Sequence, residues 1–257
     1  MRILFLGEIV GKAGLEAVKT LLPALKEEFA VTLTIAGAGA VSYGYGLTKN
    51  HALYLRKLGI NILLGNEAIF YRQELEINTL NFVLRPANLP IKAMGRGYLI
   101  HREGEHKIGI ITMLGLVGYN RMHANNPYPY AQDLITGNLK DNHFNVLTFH
   151  SLTTAEKQTM GHLLAGKAAA VIGYGTRSLT ADAGLINGTA YVSDCGRIGS
   201  RHGAFGFDGE ASANKFISGR PVKNKECLLK PELNAVLLEV DEHGKAVNLT
   251  AIRRIVD

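Results

Sequence analysis

The chain has 257 residues, 47% hydrophobic and 19% charged, which supplies apolar material for a sizeable core and argues against a disordered polymer. Its formal charge of +6 either concentrates anions or simply keeps a basic protein soluble; the Lys and Arg residues are scattered, and no helix-turn-helix, zinc-finger or aromatic RNA-binding pattern accompanies them, so nucleic acid is not expected as a partner. Cys195 and Cys227 are too few for a disulfide framework and lack metal-ligand spacing, and no apolar run reaches membrane-spanning length. A cytoplasmic protein with one domain over residues 1–257 is the expectation.

Residues 2–6 are an apolar run that predicts a strand, and Leu15, Val18, Leu21, Leu22, Leu25 and Phe29 then recur at helical spacing. A second strand is expected over Val31–Ala36, followed by a glycine-rich stretch. Thr48 can cap a helix running to about Leu58, and Ile60–Leu64 reads as a third strand. Gly97–His101 and Lys107–Met113 are paired strands around an Arg102–Glu105 turn. Alternation resumes with a helix near Tyr130–Leu139, a strand at Asn145–Phe149, a helix at Thr154–Leu164 and a strand at Ala168–Ile172. The last third gives strands at Ala190–Ser193, Ala235–Val240 and Ala246–Ile255, with a helix from about Gly209 to Ile217. This alternation implies a largely parallel sheet covered on both faces, with chemistry beyond the carboxyl ends of its strands. The segments at those ends are Gly7–Lys12, Gly37–Gly46, Gly65–Phe70, His150–Thr154, Gly173–Asp182 and Asp194–His202.

Those six segments, in that order, resemble the loops of the YmdB-type metallophosphoesterases, a bacterial family within the calcineurin-like phosphoesterases. The resemblance runs through nearly the whole chain and includes Gly7-Glu8-Ile9-Val10-Gly11-Lys12, Gly44-Tyr45-Gly46-Leu47-Thr48, Gly65-Asn66, Leu84-Arg85-Pro86-Ala87-Asn88, Gly95-Arg96-Gly97-Tyr98, Thr180-Ala181-Asp182 and Gly188-Thr189-Ala190-Tyr191. No one of these is specific alone; their shared order is. The resemblance implies an α/β calcineurin-like fold of layered sheets flanked by helices. It also implies two transition-metal ions, usually iron or manganese, that clamp a phosphodiester and generate hydroxide, with anionic or imidazole ligands around both.

Ligand by ligand, the chain departs from that pattern. Where the family has Gly-Asp, it has Gly7-Glu8, whose extra methylene displaces the carboxylate by roughly 1.5 Å against a coordination tolerance of about 0.2 Å. Gly37-Ala38-Gly39-Ala40 stands where the family has Asn-Gly-Glu-Asn, so the bridging Glu is missing. Gly65-Asn66-Glu67 replaces Gly-Asn-His, which removes the imidazole that would protonate the leaving group; Glu67 could take that role only if burial raised its pKa. His150 is kept, but Thr148 replaces the preceding Asp. Gly173-Tyr174-Gly175-Thr176-Arg177 replaces Gly-Thr-His-Thr-His and loses both imidazoles. The residual donors Glu8, Asn66 and His150, joined at most by Glu67 or Asp194, could hold one weak manganese or iron ion but cannot rebuild a carboxylate-bridged pair.

Arg177 falls at a former ligand position, and Arg197, Arg201 and His202 lie in the loop after Asp194. Two uses follow: a metal-free anion site for a phosphate or carboxylate, or a structural salt bridge from Arg177 to Glu67 or Glu8. Tyr43, Tyr45, Phe70, Tyr71 and Tyr174 could stack on a base at the same mouth or fill space left by lost metals. Cys195 as a nucleophile beside His202 is weighed against a buried packing residue. Gly37-Ala38-Gly39 lacks the third glycine and the immediate helix of a dinucleotide site. Together these point to a catalytically degenerate phosphoesterase homologue that binds a protein partner or phosphate-containing ligand and can self-associate, with no resident metal. Residual phosphodiesterase activity on cyclic nucleotides or similar diesters is the alternative, and metal-free nucleotide binding a third reading.

Overall fold

The computed structural model describes residues 1–72, 75–119, 123–221 and 224–256. The chain opens with β1 (Arg2–Val10), buried at every position after Arg2, as a central strand covered on both faces must be. Next come α1 (Gly11–Glu28), β2 (Leu33–Ala40), α2 (Lys49–Lys57), β3 (Ile62–Leu64) and the two-residue β4 (Val83–Leu84). The middle consists of the hairpin β5 (Tyr98–Glu103) and β6 (His106–Leu114), then α3 (Pro127–Thr136), β7 (Phe144–His150), α4 (Thr154–Leu163) and β8 (Ala170–Tyr174). The chain ends with β9 (Gly184–Ile186), β10 (Thr189–Val192), β11 (Arg197–Ser200), α5 (Gly209–Ser218), β12 (Pro231–Val240) and β13 (Ala246–Ile255).

These strands form two sheets. One has the order β13-β12-β11-β1-β2-β3-β4 and the other β5-β6-β7-β8-β10-β9. In the first, β11, β1, β2, β3 and β4 run parallel while β12 pairs antiparallel with β1, β11 and β13. In the second, β6, β7, β8 and β10 are parallel, with an antiparallel hairpin at each edge. Ile3, Phe5 and Ile35 of one sheet share a core with Ile110, Val146 and Ile172 of the other, so the sheets pack face to face. Outside them, α1 and α2 bury Ala17, Val18, Leu22, Leu25, Ala52 and Leu55 on the first sheet. On the second, α3 and α4 bury Ala131, Leu134, Ile135 and Met160.

The layered sheets flanked by helices that the resemblance implies are what the structure shows: the largely parallel strands divide between two sheets, each with helices on one face and the other sheet on its opposite face. A run such as Ile3-Leu4-Phe5-Leu6 reads the same whichever element covers it, which is why strand pattern alone leaves the layer count open. Strands β4, β9 and β11, of two to four residues, fall below the length at which periodicity can be read, and β11 lies inside a stretch expected to be loop. The four-layer arrangement has a consequence for function. The parallel strands of both sheets deliver their carboxyl ends to one edge of the sandwich, where the Tyr174 hydroxyl of β8 donates to the Gly65 carbonyl beyond β3 at 3.1 Å.

Candidate functional site

At that edge the β1–β2 register shifts on either side of Glu8, an irregularity of the kind that redirects a side chain. On the opposite side of β1, an added Cβ at Gly7 would lie 2.5 Å from the Gly196 carbonyl oxygen, so only glycine lets the chain before β11 approach there. Glu8, 1% exposed, accepts from Asn66 Nδ2 at 2.5 Å through one oxygen and from Arg177 Nε at 2.8 Å through the other. Asn66 in turn accepts the Ala68 backbone N–H at 2.9 Å, which fixes the orientation of its carboxamide. That carboxamide occupies the space a side chain on Gly39 would enter.

Arg177 has φ of 60°, a left-handed conformation that a non-glycine residue adopts only when its surroundings hold it there. Its guanidinium spans Glu8 and the Phe205 carbonyl, the latter at 3.0 Å, and lies 4.2 Å from the Phe205 ring centroid. The side chain is buried, so this is a desolvated ion pair rather than a cation presented to solvent. Of the two uses expected for Arg177, the observed geometry is the salt bridge to Glu8.

His150 ends β7. Its Nδ1 lies 2.8 Å from the Tyr119 hydroxyl and 3.4 Å from Glu67 Oε2, and its ring meets Tyr174 edge-on at 4.7 Å. Burial pushes the imidazole down to about 4, against the opposing charge of Glu67, so the ring is neutral at pH 7. Its approach to Glu67 is then not an ion pair, and Glu67 Oε2 is buried without a hydrogen-bond partner among the described residues. Among the same residues, no hydrogen bond joins His150 to Glu8 or Asn66.

Asp194 is committed elsewhere. It accepts Lys157 Nζ at 2.8 Å, the Thr176 N–H and hydroxyl at 2.8 and 2.7 Å, and the Gly196 N–H at 2.8 Å; both members of its ion pair are 0% exposed. Burial pushes its carboxyl up, while Lys157 and these donors oppose that shift. Arg197 pairs with Glu232 at 3.1 Å and donates to the Ser200 and Arg177 carbonyls; Arg201 and His202 are exposed on the turn beyond β11. The expected gathering of Arg177, Arg197, Arg201 and His202 into one anion site is thus corrected. Arg197 sits on β11 and supports the Arg177 backbone, and neither it nor its two neighbours lines the cavity at this edge.

That cavity, of about 310 Å³, opens over Asn66, Glu67 and Arg177 and is walled by Tyr45, Tyr71, Phe205 and Phe207, with Lys215 and Asn224 on its rim. Tyr43 and Tyr45 continue into an adjoining hollow with Arg72 and Glu226. Of the aromatics expected at the mouth, Tyr43, Tyr45 and Tyr71 are there. Phe70 lines a separate apolar groove, and Tyr174 is buried beneath His150, its hydroxyl 3.0 Å from that of Thr112. Tyr119, Lys157, Phe205, Phe207, Lys215 and Asn224 were not anticipated. The Gly203-Ala204-Phe205-Gly206-Phe207 alternation was the available signal for the ring pair; Tyr119 follows the end of β6, one strand end left off the expected set. The Cys195 thiol is buried within the apolar cluster between the sheets and pushed up by that burial and by the Asp194 charge, which fits the packing role rather than the nucleophile.

Tested against a two-metal cluster, the donors do not fit: both Glu8 oxygens are occupied, Asn66 uses both ends of its amide, and a guanidinium already stands 2.8 Å from the carboxylate. Among the described residues, no group of three or more His, Cys, Asp or Glu gathers as a metal site.

Two stacked sheets of mixed strands with helices outside, their parallel strands ending at one shared edge, define a calcineurin-like phosphoesterase framework. The sequence model of the YmdB-like proteins matches residues 4–252, and the chain belongs to that family. It is 30% identical over 248 residues to a 2',3'-cyclic-nucleotide 2'-phosphodiesterase of Bacillus subtilis, covering 95% of this chain and 93% of that one. A structure described as a novel phosphatase of Mycoplasma pneumoniae superposes with a TM-score of 0.94 at 28% identity, over 99% and 93% of the two chains. A hypothetical protein from Thermus thermophilus does so with a TM-score of 0.94 at 26% identity, over 100% of both chains. Among the described residues no helix is long and apolar enough to cross a membrane.

Proposed function

We propose that this chain is a catalytically degenerate member of its family, acting as a single unit over residues 1–257 in the cytoplasm, and that it binds a phosphate-containing ligand or protein partner without hydrolysing it. The observation carrying this reading is Arg177 seated on Glu8. A fixed cation bonds to the carboxylate that in a two-metal enzyme would face a metal, and a second positive charge there would be repelled by roughly 4 kcal/mol at a 4 Å separation and an effective dielectric of 20. The side chains that would bridge or flank a metal pair at positions 39 and 175 are glycines. What persists is the cavity above them, walled by the exposed Tyr45, Tyr71 and Phe205 and the buried Phe207, with Lys215 in its lining, which suits recognition more than bond cleavage.

A second reading, residual phosphodiesterase activity, draws on the likeness to the Bacillus subtilis phosphodiesterase and on Glu67 and His150 standing 3.4 Å apart beside the cavity. One experiment separates the two. Protein purified with excess manganese and iron is analysed for bound metal and assayed on an aryl phosphodiester. Degeneracy predicts fewer than one tightly held ion per chain and no metal-dependent turnover; two ions with turnover abolished by His150→Ala would refute it in favour of the enzyme.

A further inference from the structure

A second hollow lies far from this cavity. A groove of about 600 Å³ sits at the amino ends of β7 and β8, the opposite end of the strands that deliver His150 and Tyr174. Seven strand residues at 3.3 Å each place it about 20 Å from His150. Four separate segments build it: the α3–β7 connection with Lys140 and His143, the α4–β8 connection with Lys167, the β9–β10 turn with Asn187, and the β12–β13 turn with His243 and Lys245. Ile135, Phe144, Ala168 and Ala169 form its apolar floor.

Charge gives the groove its character. Its lining holds three ammonium groups and two imidazoles and not one carboxylate. Among the described residues none of Lys140, Lys167 and Lys245 has an ion-pair partner, whereas the nearest acids are engaged or set apart. Asp241 accepts the N–H groups of His243 and Lys245 at 2.9 and 2.8 Å, and Glu242 pairs with His243 at 3.5 Å on the exposed side of the turn. Asp141 is exposed beside Lys140 but outside the lining. The His143 ring is also oriented: the Lys107 N–H donates to its Nδ1 at 3.0 Å, which places the ring proton on Nε2 as a further donor. Cations reach this concavity from three of the four segments, and an anion seated among them relieves their mutual repulsion.

We propose that this groove is a second anion site, taking a ligand with consecutive phosphate groups such as inorganic triphosphate or the tail of a nucleoside triphosphate. Three ammonium groups match three phosphates, and the volume falls in the range of small-molecule sites. The assignment is independent of whether the first cavity hydrolyses anything.

The test is calorimetric titration of the full chain with sodium triphosphate, and separately with a nucleoside triphosphate, at physiological ionic strength. Lys140→Glu/Lys167→Glu/Lys245→Glu should weaken binding at least roughly thirtyfold while leaving the melting temperature of the free protein within a few degrees. A control with the same change in net charge at exposed lysines elsewhere, Lys19→Glu/Lys57→Glu/Lys92→Glu, should keep wild-type affinity. Lys→Arg at the three groove positions should hold affinity within a few-fold. Equal loss in the control, absence of saturable binding in the wild type, or a single-stranded RNA that binds through the same lysines and is not displaced by triphosphate would each overturn the proposal.

Discussion

Replacing Arg177 with Ala is the most informative single perturbation. Glu8 and Arg177 side chains are 1% and 8% exposed, so truncating the arginine leaves a buried carboxylate holding only the Asn66 amide. Breaking a buried pair from one side costs about 3–5 kcal/mol, because the surviving charge is desolvated and unpaired. Stacking of the guanidinium on Phe205 adds about 0.5–2 kcal/mol to that loss. Against this, the left-handed backbone at 177 is strained for alanine as for arginine, so no relief is expected there; Arg177→Gly should be milder than Arg177→Ala by about 1 kcal/mol. Urea denaturation of the wild type, Arg177→Ala, Glu8→Gln and the double variant gives the coupling energy directly. A coupling of about 2 kcal/mol or more is expected, with the double variant no worse than Arg177→Ala. If Arg177→Ala loses under about 1 kcal/mol and the cycle shows no coupling, the pair is not what fills this site, and degeneracy loses its main support.

Three further outcomes follow from the same geometry. His150 is buried neutral with its pKa lowered from 6.5 to about 4, so the unfolded chain binds the extra proton between those values. Stability should therefore fall by roughly 3 kcal/mol as pH drops from 6.5 to 4, and the loss should be largely absent from His150→Gln when the two pH profiles are subtracted. Gly39→Ala should lower stability by about 1–3 kcal/mol through overlap with the Asn66 amide, and Asn66→Ala should restore most of that in the double variant, read as a melting temperature. Lys157→Met should cost about 3–5 kcal/mol by stranding Asp194 in the core, measured by denaturation; a loss below about 1 kcal/mol would mean that Asp194 takes a proton instead.

The elements visible in the sequence were those with local signatures. Thr48 was expected to cap a helix, and its hydroxyl accepts the His51 N–H; Thr153 caps α4 in the same way. The 246–255 strand appears with the expected limits. Site composition was legible because glycine and alanine carry no donor atoms wherever they fold. What escaped was long-range. That Lys157 is the counterion of Asp194 depends on two elements 37 residues apart meeting at full burial, and a lysine on a helix reads as a surface residue until the opposite sheet is in place. Arg197, Arg201 and His202 looked like neighbours in a loop. One of them is in a strand whose pairing with β12 turns it toward Glu232, and a four-residue strand leaves no periodicity to announce that.

The Asn66 amide lying where a residue-39 side chain would go makes the order of change matter. A glutamate placed at position 39 meets that amide, and a histidine placed at position 175 would have its Cβ 2.8 Å from the Ser151 carbonyl oxygen on a backbone of φ 117°. Each substitution alone is penalised, since its neighbours already occupy the space it needs. An engineered metal site with ligands at positions 39 and 175 therefore has to move Asn66 and Arg177 first and add the ligands afterwards.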